Sequence, residues 1–145
     1  MDFFDALHTS SAGLTAQRLR MNLISGNLAN IHTTRTEDGG PYRRKEPIFA
    51  AQTPKRSFGE VLSAHQTDNL PQVKVVDVIE DQNPPILKYD PDHPDADDKG
   101  YVAMPNINLM EEMVNLISAT RSYEANVSAI KAAKEMALKA LEIGR

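Results

Sequence analysis

The sequence predicts a mainly α protein. Long N- and C-terminal helices pair as an antiparallel coiled coil, with a small proline-rich β-hairpin and loop insert between them. Three observations lead there. All nine prolines lie between Pro41 and Pro105, and proline removes a backbone donor and clashes with the preceding helical turn. The C-terminal stretch repeats apolar residues every seven positions over five heptads. The first thirty residues place apolar side chains at helical spacing. A chain of 145 residues suits one domain. That domain divides into a discontinuous helical unit, residues 1–33 with 105–145, and an insert over 34–104.

The N-terminal helix is expected over about residues 3–30. At 100° per residue, Ala12, Ala16, Leu19 and Leu23 form one stripe, while Phe3, Leu7, Leu14, Met21 and Leu28 form another on nearly the opposite side. An ordinary surface helix has one apolar stripe. Two stripes predict burial on two sides, one against the C-terminal helix and the other against a different chain.

In the insert, Val73-Lys-Val-Val-Asp-Val-Ile79 is rich in β-branched residues and predicts a strand. Asp81-Gln-Asn-Pro-Pro85 predicts a turn and Ile86-Leu-Lys-Tyr89 a short return strand, together one hairpin. Residues 50–72 lack periodicity and are expected to be loop.

The C-terminal helix is expected over 109–142. Asn108 is its cap, Glu111 stands in capping-box position, and Gly144 closes it. Leu109, Leu116, Tyr123, Ile130 and Ala137 recur every seven residues, interleaved with Met113, Thr120, Val127, Lys134 and Leu141. At 1.5 Å per residue this helix runs ~50 Å, whereas a compact globule of this length is only roughly 38 Å across. The helix overhangs its own domain and needs a partner along its length. Met110, Met113, Met21 and Met136 are expected to fill the core. The Tyr123 hydroxyl is expected to reach Asn27 or Asn30.

Composition excludes several function classes. There is no cysteine, hence no disulfide, thiolate metal site or cysteine nucleophile. Four Phe, four Tyr and no Trp are thin for a ring-lined ligand pocket. A formal net charge of −4 disfavours a general nucleic-acid binder. No stretch approaches the ~20 apolar residues of a membrane span, so no direct membrane insertion is expected. The N-terminus has neither the basic start nor the apolar run of a cleaved secretory signal.

No constellation resembles an active site. Asp90-Pro-Asp-His-Pro-Asp-Ala-Asp-Asp-Lys-Gly100 gathers five carboxylates, but counting from Asp95 as position one of a calcium loop, Lys99 and Asn106 occupy ligand positions. The segment is expected to be a solvated acidic turn. Arg43-Arg44-Lys45 is the one basic cluster, expected to pair with the 90–98 loop of a neighbouring copy. The four histidines are scattered, no serine has a glycine-framed elbow, and no Gly-rich phosphate cradle occurs. Catalytic, cofactor and metal sites are therefore expected to be absent. Two rivals from other classes stand beside this reading: a helical hairpin binding nucleic acid through Arg43–Lys45, and a metal-dependent enzyme built on Asp90–Asp98.

Leu23-Ile-Ser-Gly-Asn-Leu-Ala-Asn30 resembles the Ser-x-Asn-Ile/Leu-Ala-Asn motif of the rod and hook proteins of the bacterial flagellum. The segments Thr33–Lys45, His93–Asn108, Met110–Asn126 and Lys139–Gly144 are similar in order to the proximal rod proteins of that family. The resemblance implies a non-enzymatic axial subunit that polymerises through its terminal helices into a helical tube, part of a drive shaft. It implies contact with copies of itself, other rod proteins, the flagellar type III export apparatus and the inner-membrane ring, with no small-molecule substrate. It also implies residence in the periplasm-spanning rod after export without a cleaved signal. The residues expected at subunit interfaces are Leu19, Leu23, Asn27, Leu28 and Asn30 on the first helix and Arg43 and Arg44 in the basic turn. On the last helix they are Leu109, Met113, Leu116, Tyr123, Val127, Ile130, Leu138 and Leu141.

Overall fold

A computed structural model describes residues 3–52 and 71–144. Two long helices, α1 (Phe3–Ala29) and α2 (Leu109–Ile143), bracket strands β1 (Lys45–Gln52), β2 (Gln72–Glu80), β3 (Ile86–Tyr89) and β4 (Tyr101–Met104). The mainly α expectation holds in its coarse form: two terminal helices with a small β region between them. The helices lie antiparallel, since Asn27 meets Glu112, Met21 meets Thr120, and Gly13 faces Asn126. At 1.5 Å per residue, the 27 residues of α1 span ~40 Å and the 35 of α2 ~52 Å. In this register the last turn and a half of α2, about six residues, runs on past Phe3.

Capping fixes where α2 begins. Asn108 is extended (φ −92°, ψ 111°), and its side chain accepts from the Met110 and Glu111 amides, satisfying donors that the first helical turn cannot bond internally. Gly144 stands at the C-cap as expected, but with φ −82°, so the helix ends without a left-handed turn.

The inner seam of α2 differs from the expected one in half its positions. Leu116, Tyr123, Ile130 and Ala137 are half-buried, as the heptad reading requires. Their companions facing α1 are Glu112, Ala119 and Ala133, all buried, and half-buried Asn126. Of the expected companions, Thr120 and Val127 are half-buried and Thr120 meets Met21, while Met113, Lys134 and Leu141 are exposed. The physical reason is approach distance. Small residues at Gly13, Ala16, Ala119 and Ala133 let the backbones close in, and larger apolar side chains are displaced to the flanks. Met110, Met113 and Met136 are likewise exposed and do not fill the core.

The single expected hairpin does not form. β2 pairs antiparallel with β1, from Lys45↔Glu80 to Gln52↔Gln72, with a bulge between Ile48 and Phe49. β3 pairs antiparallel with β4, from Ile86↔Met104 to Tyr89↔Tyr101. Pro84 and Pro85 explain the failure, because their fixed φ cannot supply the positive φ that a tight hairpin turn needs. β1 escapes sequence reading because Pro47 and two alanines obscure it. Proline is tolerated there on the edge of a two-stranded ribbon. Of the expected loop over 50–72, residues 50–52 and 72 are strand, and 53–70 lie outside the described residues.

The β1–β2 ribbon also revises the account of α1. Ala12, Ala16 and Leu19 share a groove of about 390 Å³ with Val73, Lys74 and Val75 of β2. That stripe therefore faces the chain's own sheet across the groove. The second stripe, Phe3, Leu7, Leu14, Met21 and Leu28, is half-buried and flanks the helix seam.

The acidic segment is the β3–β4 connection. Asp97 accepts from the Lys99 and Tyr101 amides, and His93 Nδ1 accepts from the Asp95 amide. Gly100 has φ +80°, and a Cβ there would meet the Tyr89 ring at 3.0 Å, so both backbone and space demand glycine.

A buried polar knot and an uncovered apolar face

Where α1 ends, four side chains close into one network. Asn27 is 1% exposed. Its amide nitrogen donates to the Lys45 carbonyl and to Glu112 Oε2, each at 3.0 Å. Its oxygen accepts from the Tyr42 hydroxyl at 3.1 Å and the Lys45 amide at 2.9 Å. Two donors and two lone pairs are all an amide has, and every one is used. Glu112, also 1% exposed, accepts at Oε1 from Arg44 Nε at 2.7 Å and pairs with its terminal nitrogen at 2.7 Å. Arg44 reaches Glu46 with its other terminal nitrogen. One residue of α1, one of α2 and three of the 42–45 segment are thereby tied together.

The electrostatics follow from this burial. Burial opposes the Arg44 charge, but Glu112 first and Glu46 after it outweigh burial and raise the guanidinium above its ordinary range. Burial foremost raises the Tyr42 phenol above its ordinary 10.0; Lys45 opposes this, while Glu80 and Glu112 add to it. A buried carboxylate without its cation would cost several kcal/mol, so the pair is indispensable once Glu112 is buried.

The basic cluster is thus engaged within its own chain. Arg44 is held by Glu112 and Glu46, Lys45 pairs with Glu80 at 3.4 Å, and Arg43 donates to Gln82. On the acidic loop, Asp95 accepts from the Thr34 hydroxyl at 2.7 Å and lies 4.0 Å from Arg35. The groups expected to pair between copies, Arg44 and Asp95, have partners inside the chain. The hydroxyl that reaches Asn27 belongs to Tyr42; Tyr123 lies opposite about residue 16 of α1, ~16 Å away along the helix. Asn30 donates to the Gly26 carbonyl at 2.9 Å and accepts from Thr33, closing the C-terminus of α1.

The other candidate residues distribute around the helix pair. Leu19, Leu23, Leu28, Leu116, Tyr123, Val127 and Ile130 are half-buried, while Leu109, Met113, Leu138, Leu141 and Arg43 are exposed. Opposite the seam, Met110, Met113, Val114 and Ile117 follow i, i+3, i+4, i+7 spacing and are 46–68% exposed. That spacing makes one continuous apolar stripe. A second exposed set, Leu138, Leu141 and Ile143, lies on the part of α2 that outruns α1. Sequence reading missed Glu112, Asn126 and Tyr42. The signal for Glu112 was present: a glutamate inside a small-residue heptad row.

Long paired helices with a dry polar knot inside and large apolar residues outside define a structural, assembly-forming class of protein. Comparison with known proteins gives that class an identity. Residues 98–143 match the family described as flagellar basal body rod FlgEFG protein C-terminal. The chain is 47% identical to flagellar basal-body rod protein FlgC of Borreliella burgdorferi, over 99% of this chain and 98% of the relative. It is 45% identical to the Bacillus subtilis protein of the same name, over the full length of both. The corresponding Escherichia coli protein is 41% identical, again over both full lengths. The chain belongs to the FlgC family of flagellar basal-body rod proteins. It is accordingly a structural rod protein and not an enzyme.

Proposed function

We propose that the chain is a subunit of the proximal rod that polymerises through its terminal helices, whose uncovered apolar surfaces pack on copies of itself and on other rod proteins. In that reading residues 1–33 and 105–145 form one discontinuous helical unit lining a tube, and residues 34–104 form its outer layer. The chain reaches the periplasm-spanning rod through the flagellar type III export apparatus without a cleaved signal, and the first subunits seat on the inner-membrane ring. Leu28 and Val127 on the flank, Met113 on the outer stripe, and Leu138 and Leu141 on the overhang are the interface residues this reading puts first.

One observation carries it. The Met110–Ile117 stripe is large, apolar and continuous, yet faces away from the only helix α2 packs against among the described residues. Side chains of this kind stabilise by roughly 1.5–3 kcal/mol each when buried, and a second surface is what buries them. The nucleic-acid reading has no comparable support, because Arg44 and Lys45 are paired with carboxylates of the same chain.

The test is complementation of a flagellated species made non-motile by deletion of its own copy. Val114→Asp with Ile117→Asp should abolish swimming while dilute protein keeps its circular dichroism spectrum. Normal swimming would refute assembly through this face.

A further inference from the structure

The helix pair has two fixed points of register. Asn27 bonds Glu112 at 3.0 Å, and a Cβ on Gly13 would stand 3.0 Å from Asn126 Oδ1. The two pairs are fourteen residues apart on both helices, which is two heptads, or about 21 Å. Between and beyond them the seam is nearly degenerate. Leu116, Tyr123, Ile130 and Ala137 repeat at seven, and Ala119 and Ala133 recur at twice that interval. Sliding α2 by one heptad would therefore keep similar apolar contact.

The fixed points do not survive such a slide. In one direction Glu112 comes opposite Arg20, where an ion pair still forms, but Asn126 leaves the gap at Gly13 and meets the Cβ of Ala6. In the other direction Glu112 runs past the end of α1 and Asn126 meets Arg20. Asn27 loses its carboxylate either way, and one buried N–H left without an acceptor is costly.

We infer that the register of the helix pair is selected by this polar knot and the Gly13–Asn126 gap, not by the apolar heptad row. Because Tyr42, Arg44 and the Lys45 backbone complete the knot, the register is conditional on the 42–45 segment being docked. A single buried polar residue sets register in coiled coils by the same physics. The outcome matters on the outside as well. Met21 touches Thr120, so the apolar flank is composed from both helices, and a slide would change which residues are neighbours on it.

Cysteine reporters test this cleanly, since the chain has no cysteine of its own. Met21→Cys with Thr120→Cys reports the observed register, and Leu14→Cys with Thr120→Cys reports the slide that brings Glu112 to Arg20. In dilute protein under mild oxidation, the first pair should close an intramolecular disulfide at least about tenfold faster than the second. In a background carrying Asn27→Leu and Glu112→Leu that ratio should fall below about threefold. A ratio that stays near tenfold would show that the apolar row sets the register, and would overturn the inference. If that background loses its helical circular dichroism signal, Glu112→Gln replaces it. That variant should lower the ratio by at least about threefold, and an unchanged ratio again overturns the inference.

Discussion

The two faces of α2 are built from opposite materials. The face turned to α1 sets buried Glu112, Ala119 and Ala133 and half-buried Asn126 beside half-buried Leu116, Tyr123 and Ile130, whereas the face turned away leaves Met110, Met113, Val114 and Ile117 exposed. A helix that folds only for its own domain would not leave a continuous row of large apolar residues in water while burying a glutamate inside. Small residues, one saturated polar network and a few larger side chains, Ile24, Leu116, Tyr123 and Ile130, lie between the helices. The exposed apolar row on the other face has no cover among the described residues. That division separates residues whose loss should unfold the protein from residues whose loss should only stop it assembling.

The most severe challenge to this comparison is on the inner face. Glu112→Leu leaves Arg44 half-enclosed with only Glu46 and strips Asn27 of an acceptor; it should cost about 3–5 kcal/mol. Urea denaturation of dilute protein measures it, and a loss below about 1 kcal/mol would mean the knot is dispensable. Ala119→Leu comes next. Ala119 has no exposed surface, so the three heavy atoms that leucine adds must push the helices apart, at about 1–3 kcal/mol. The same denaturation series reads it. Asn30→Ala removes the bond to the Gly26 carbonyl and the acceptor for Thr33, and should cost about 1 kcal/mol, with assembly intact once the protein is folded.

A smaller effect sharpens the electrostatic side. The folded-state pKa of Tyr42 is raised above 10.0, chiefly by burial, so the fold favours the neutral phenol. Its contribution is fully present below pH 10 and is lost as pH rises through the folded-state value. Thermal melts should therefore fall more steeply above pH 10 for the unaltered chain than for Tyr42→Phe. Parallel slopes would mean that the hydroxyl does not couple to folding.

Much of this fold was legible in the sequence because it depends on local chemistry. Prolines confined to 41–105 marked both helices, and Asn108 marked the start of α2 to the residue. The seven-residue recurrence identified half of the inner seam, Leu116 through Ala137. Part of the rest was misread because periodicity weighs apolarity, while close helix packing here selects smallness: Ala119 and Ala133 are buried, and Met113 and Lys134 are exposed. Strand existence was legible in Val73–Ile79, but strand pairing was not, since β1 and β2 meet across a long connection and local pattern carries no information about distant partners. The knot was half legible. Asn27 and Arg44 stood out as residues, but their meeting point, Glu112, is specified only by helix register, which no single segment encodes.

If the outer face of α2 meets other subunits and the inner face does not, site-specific photo-crosslinking in assembled basal bodies will separate them. A benzophenone side chain is placed at Ile117 in one strain, at Met21 in another as a flank reference, and at the half-buried inner position Leu116 in a third. Crosslinks to neighbouring rod subunits are expected from Ile117, and only intrachain products from Leu116. Intersubunit products from Leu116 with none from Ile117 would contradict this division of the two faces.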